Sequence, residues 1–118
     1  MKLHFDGSGT GIGYTINNGI DINIAIGEEF KGTTNEAEYM GLIRGLEKLK
    51  EIGYIGDVAV YGDSQLVIRQ MQGIYKVKAA NLVHLYLWAK ELAACFSKVK
   101  FFWIYREQNT EADSLTHF

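Results

Sequence analysis

The hydrophobic pattern along the chain changes period near residue 33, and the change separates an extended part from a largely helical one. Apolar and polar positions alternate through the first thirty residues. There "LHFDGS", "GIGYTINN" and "IDINIAIGEEF" read as three strands, the third with a clear period of two. Asn18-Gly19 predicts a two-residue type I′ hairpin, a turn that needs positive φ at both positions. The period then becomes helical. Residues 34–52 predict a helix, with Thr33 and Glu36 spaced as a capping box and Gly53 placed to end it. "DVAVYGD" is a short apolar strand of the kind buried on both faces. "SQLVIRQMQG" opens on Ser64 as a short helix, and "AANLVHLYLWAKELAACF" is a longer one. "VKFFWIYR" is a fifth strand, and "NTEADSL" begins a last helix. The order β-β-β-α-β-α-α-β-α predicts an α/β layer fold. Its mixed five-stranded sheet has three antiparallel strands, then two parallel ones reached through helices, with helices flanking the sheet.

Composition narrows the picture. At 118 residues, 47% hydrophobic and 22% charged, the chain reads as a single domain over 1–118 with a real core. No apolar run is long enough to span a membrane, and "MKLHFDG" has no signal-peptide pattern, so a cytoplasmic location is expected, and a monomer. Cys95 is the one cysteine, which excludes an internal disulfide; its setting in "LAACF" predicts a buried structural thiol. A net charge of −2 argues against a protein that grips nucleic acid by charge alone. It leaves room for acidic residues gathered in one site to recruit divalent cations that meet phosphate.

Four carboxylates break the hydrophobic pattern. Glu38 sits in the apolar run Ala37, Met40, Ile43 and Leu46, where an ionised group is costly unless paired or metal-bound. Asp6 lies inside the first strand, Asp63 at the carboxyl end of the fourth, and Asp113 in the first turn of the last helix. Ligand sites of open α/β sheets form at the carboxyl ends of strands. If the first and fourth strands are neighbours, Asp6 and Asp63 face one another there. Four converging acids repel without a cation, and oxygen ligands of this kind suit Mg²⁺ or Mn²⁺.

The stretches that carry these acids, "FDGS", "TTNEAEYMGLIRGL", "YGDSQLVIRQM" and "REQNTEADSL", resemble the four catalytic blocks of ribonuclease H type 1 in order and spacing, over Leu3 to Leu115. The resemblance implies a ribonuclease H-like fold and an endoribonuclease that hydrolyses the RNA strand of an RNA/DNA hybrid, with an Asp-Glu-Asp-Asp metal site formed by Asp6, Glu38, Asp63 and Asp113. Hydrolysis by two ions needs them about 4 Å apart, one serving the attacking water and one the leaving oxygen. Asp6 is expected to bridge both ions, Asp63 to share the water-activating ion, Glu38 the leaving-group ion, and Asp113 to complete the shell.

Further positions resemble the family's substrate contacts. Asn35 and Gln65 match base-edge and sugar contacts, although Asn35 also fits a helix cap and Gln65 a solvated helix residue. Thr34 matches a DNA-phosphate contact or, with Thr33, a cap. The backbone of Gly7 and Ser8 lies where it could approach a ribose 2′-OH. Lys76 and Lys78 resemble a reduced DNA-strand channel, or else are solvated lysines. The loop before Asp113 lacks the histidine that many members carry, and Arg106 occupies that neighbourhood, as a phosphate contact or a strand-end charge. Nucleases and strand-transferases of the same fold, and a non-catalytic or weakly active nucleic-acid-binding module, are the competing readings.

Overall fold

The computed structural model of the protein describes all 118 residues. Its strands are β1 (Lys2–Gly7), β2 (Gly11–Asn17), β3 (Asn23–Glu29), β4 (Asp57–Gly62) and β5 (Lys98–Trp103). Its helices are α1 (Thr34–Glu51), α2 (Gln65–Met71), α3 (Ala80–Ala93) and α4 (Thr110–Ser114), and a 3₁₀ turn spans Arg106–Gln108. One sheet holds all five strands in the order β3-β2-β1-β4-β5. β1 pairs antiparallel with β2, and β2 antiparallel with β3. β4 runs parallel to β1 on its other side, and β5 parallel to β4. This is the α/β architecture the pattern predicts, with β1 and β4 adjacent as the site requires. No helix is long and apolar enough to cross a membrane.

α1 forms where expected because its start is doubly capped. The Glu36 N–H donates to Thr33 Oγ1 at 3.1 Å, and the Thr33 N–H donates to Glu36 Oε1 at 2.8 Å. Gly53, at φ +84°, ends it in the left-handed region that favours glycine. The middle of the helix, Ala37 to Ile43, is buried because it lies between the sheet and α3. Leu42, Ile43, Leu46 and Leu49 are fully buried in a core shared with Leu3, Phe5, Ile16 and Val60.

Missing side chains set how close α1 comes to β1. A Cβ on Gly41 would lie 2.5 Å from the Asp6 carbonyl oxygen, and one on Gly7 would lie 2.3 Å from the Ala37 carbonyl carbon. The two backbones are therefore in direct contact, and that contact brings Glu38 beside Asp6. On the α2 side, the Tyr39 hydroxyl donates to Gln70 Oε1 at 2.5 Å, and both residues are buried.

Three local expectations need correction. The β2–β3 hairpin does not turn on Asn18-Gly19 as a type I′ pair. Only Gly19 has positive φ, and the strands pair from Asn17↔Asn23, leaving a five-residue loop. Asn18 organises that loop with its side chain: its Oδ1 accepts from the N–H groups of Ile20, Asp21 and Ile22 at 2.9–3.0 Å. Cys95 is exposed rather than buried, because α3 ends at Ala93 and the inward row passes through Leu92 to Phe96. β5 ends at Trp103, so Arg106 belongs to a turn and is not a strand-end charge.

Candidate active site

The carboxyl ends of β1 and β4 meet the start of α1 in a cleft of about 360 Å³ with no hydrophobic lining. Asp6, Glu38, Asp63 and Asp113 all line it, with Gly7, Ser8, Thr34, Arg106 and His117. Each acid arrives on a different element. Asp6 is the penultimate residue of β1, and Asp63 follows β4 directly. Glu38 sits in the second turn of α1, and Asp113 lies in the single turn of α4.

Three of the four form a tight group. Asp6, Glu38 and Asp63 each offer a carboxylate oxygen, and these atoms lie within 4.8 Å of one another. Asp113 lines the same cleft but stands outside that group, and its Oδ1 lies 3.7 Å from Arg106 Nη2. Hydrogen bonds fix the segments around the trio. The Gly7 N–H donates to Asp6 Oδ1 at 2.9 Å. The indole N–H of Trp103 donates to the Asp63 carbonyl at 3.2 Å, and the Ser64 side chain caps α2 by accepting from the Val67 N–H at 3.2 Å. Asn109 donates its amide to the Phe5 carbonyl at 2.9 Å, fixing the start of α4 against β1.

The electrostatics are those of buried, crowded acids. Burial raises the Glu38 pKa from 4.5 to about 10, and the charges of Asp6 and Asp63 add to the effect. Burial likewise raises Asp6 from 3.8 to about 7, with the Asp63 charge adding and the Gly7 N–H opposing. Asp63 is also raised, again first by burial. Glu38 Oε2 is buried without any hydrogen-bond partner. A buried carboxylate oxygen with no donor, facing two more carboxylates, fits a divalent cation and its oxygen-ligand preference.

The other anticipated residues divide into those in the cleft and those beside it. Thr34 lines the cleft and is free of capping duty, which Thr33 performs. Asn35 and Gln65 are exposed at the starts of α1 and α2, outside the cleft lining. Lys76 and Lys78 are exposed in the segment between α2 and α3, also outside it. The N–H groups of Gly7 and Ser8 are already committed, to Asp6 Oδ1 at 2.9 Å and to the Gly11 carbonyl at 2.8 Å. The Ser8 hydroxyl is engaged too, donating to the Thr116 carbonyl at 3.0 Å. Arg106 lines the cleft with a side chain 74% exposed, so its guanidinium, 3.7 Å from Asp113 Oδ1, is accessible to a ligand.

One lining residue was not anticipated as part of the site. His117 reaches the cleft from the tail after α4. Its spacing of four from Asp113 is the one sequence signal that could have marked it.

Comparison with known proteins agrees with this geometry. A family model described as "Reverse transcriptase-like" matches residues 3–118. A bifunctional protein of Mycobacterium tuberculosis is 42% identical over 87 residues, which are 74% of this chain and 24% of that protein. The chain thus spans about a quarter of the length of the curated mycobacterial relatives it matches. Ribonuclease HI of Halobacterium salinarum is 31% identical over 125 residues, covering 99% of this chain and 62% of that protein. The crystal structure of RNase H1 from that organism matches with a TM-score of 0.89 at 29% identity, covering 97% of this chain and 92% of that one. LC11-RNase H1, solved in complex with an RNA/DNA hybrid, matches with a TM-score of 0.88 at 32% identity, covering 97% and 91%.

Proposed function

The chain belongs to the ribonuclease H type 1 family, and from that premise we propose that it hydrolyses the RNA strand of an RNA/DNA hybrid with Mg²⁺ or Mn²⁺, leaving 5′-phosphate and 3′-hydroxyl ends. The observation that carries the reading is the convergence of Asp6, Glu38 and Asp63, oxygens within 4.8 Å, in an open cleft lined by no hydrophobic residue.

Asp6, Glu38 and Asp63 would hold the metal, with Asp113 at the margin of the shell. Two bound divalent ions supply a nucleophilic water at neutral pH and stabilise the leaving oxygen. The chain's own contribution is placement. Gly7 and Gly41 bring α1 onto β1 so that Glu38 meets Asp6. The Gly7 N–H orients one Asp6 oxygen and leaves the other for the ligand. Arg106, extending into the cleft from its turn, is suited to a phosphate oxygen whose charge grows as the bond breaks. Thr34 and the exposed amides of Asn35 and Gln65 are suited to contact the two strands of a hybrid. The lysines Lys76 and Lys78 are suited to a more distant phosphate of the DNA strand.

A panel of labelled substrates tests the proposal. With Mg²⁺ or Mn²⁺, the protein should cut the RNA of a hybrid and leave duplex DNA intact. Preferential cutting of duplex or branched DNA would favour another nuclease of the fold. Hybrid binding without cleavage in either metal would favour a binding module.

A further inference from the structure

The chain holds three histidines, and two of them lie away from the catalytic cleft. His4 stacks on Tyr61 with ring centroids 4.8 Å apart and lines a separate polar cleft under the 108–112 turn. His84 is exposed on α3. His117 alone lies with the four carboxylates. Apart from Arg106 it is the only cationic or imidazole group in that lining. A cleft that must accept a phosphate next to four acids gains from donors aimed at the phosphate oxygens.

The tail that carries His117 is pinned on both sides of it. Thr116 is fully buried, and its carbonyl accepts from the hydroxyls of Ser8 at 3.0 Å and Thr10 at 3.2 Å. The Thr116 N–H and hydroxyl donate back to the Asp113 carbonyl at 3.1 and 2.9 Å. Three glycines make room for the tail against the sheet. A Cβ on Gly11 would lie 2.4 Å from the Phe118 ring and 2.5 Å from the Thr116 carbonyl oxygen. One on Gly13 would lie 2.7 Å from Leu115 Cβ, and one on Gly27 2.3 Å from the Leu115 carbonyl oxygen. The backbone of His117 is therefore held between Thr116 and Phe118, and its side chain remains exposed to the cleft.

We infer that His117 donates a ring N–H to a non-bridging oxygen of the phosphate bound in the cleft, and that the pinned tail positions it. This rests on the hybrid-hydrolysis reading above. The contact strengthens as charge gathers on the phosphate, so removing it acts mainly on kcat. Arg106 comes from the turn before α4 and His117 from the tail after it, so the phosphate meets donors from two separately held segments.

The test combines kinetics with side-chain NMR. His117→Ala should lower kcat on a hybrid about ten- to a hundredfold, with a smaller change in KM and an unchanged melting temperature in chelator. His117→Asn, which keeps a donor, should recover part of the loss. Thr10→Val, outside the cleft, should lower kcat less, and its effect should vanish in the His117→Ala background because it acts through the histidine. In the ¹⁵N-histidine spectrum of the whole protein in chelator, adding uncut hybrid should shift His117 and leave His84 in place. Wild-type rates for His117→Ala, no recovery with His117→Asn, or an unmoved His117 resonance would each overturn the inference. Should the wild-type protein cut no hybrid at all, the functional reading fails, and the NMR titration still decides whether His117 meets the phosphate backbone.

Discussion

Replacing Glu38 with glutamine should stabilise the metal-free protein, by an amount that grows with pH. Glu38 is 6% exposed, and its pKa rises from 4.5 to about 10 on folding. An acid whose folded pKa is raised binds its proton more tightly in the folded state. The folded state therefore loses stability as pH climbs above the unfolded value, until the folded pKa is passed. At pH 7 the unfolded chain has released this proton and the folded chain has kept it. The gap of about 2.5 pH units above 4.5 corresponds to about 3 kcal/mol. At pH 5 the same arithmetic leaves less than about 1 kcal/mol. Glutamine has the same shape and no proton to retain, so Glu38→Gln should gain about 1–3 kcal/mol at pH 7, roughly 4–12 °C in melting temperature for a domain of this size. Thermal or urea unfolding in EDTA between pH 5 and pH 8 measures it. Saturating Mg²⁺ or Mn²⁺ should close or reverse the gap, because a ligand at 100 times its Kd stabilises the wild type by about 2.7 kcal/mol and the variant by less. A variant less stable than wild type at pH 7–8 in EDTA, or a difference that ignores pH, would refute the reasoning and mark Glu38 as a structural residue.

Other substitutions probe the rest of the site. Asp6→Asn and Asp63→Asn should each abolish turnover of a hybrid and leave the far-UV circular dichroism unchanged, since each removes a charged ligand and relieves repulsion. Arg106→Ala should lower the single-turnover rate roughly ten- to a thousandfold, and Arg106→Lys should recover only part of it, because lysine lacks the planar fork. Gly41→Ala should destabilise the fold by about 1–3 kcal/mol in urea titration and depress turnover together, because its Cβ would push α1 off the Asp6 carbonyl 2.5 Å away.

The parts of the structure legible in the sequence are those that local chemistry dictates. The capping box at Thr33 and Glu36 and the terminating Gly53 define α1 without help from elsewhere. Glu38, a carboxylate in an apolar run, stands out in the sequence because an ionised group there is costly unless paired or metal-bound. The elements misread depend on competition or distance. Asn18 looked like a turn residue by its backbone, but its side-chain oxygen gathers three N–H groups and lengthens the loop. Cys95 sits in an apolar stretch, but the helix ends two residues before it. Beyond its spacing from Asp113, little in the sequence marks His117 as a site residue, because its place depends on three glycines far away in the sequence, Gly11, Gly13 and Gly27, which let the tail lie on the sheet. The carboxylate trio had the converse advantage: β1 and β4 pair in parallel, so two strand-end acids become neighbours by topology alone.

The central claim is metal-dependent hydrolysis of RNA within a hybrid, and analysis of the product ends tests it most directly. The protein is incubated with a hybrid carrying an internally labelled RNA strand, in Mg²⁺ or Mn²⁺ and in parallel with excess EDTA, and the fragments are resolved by their termini. Water as the nucleophile predicts internal cuts with 3′-hydroxyl and 5′-phosphate ends, and complete loss of cutting in EDTA. Fragments ending in a cyclic phosphate, or cutting that survives chelation, would contradict it.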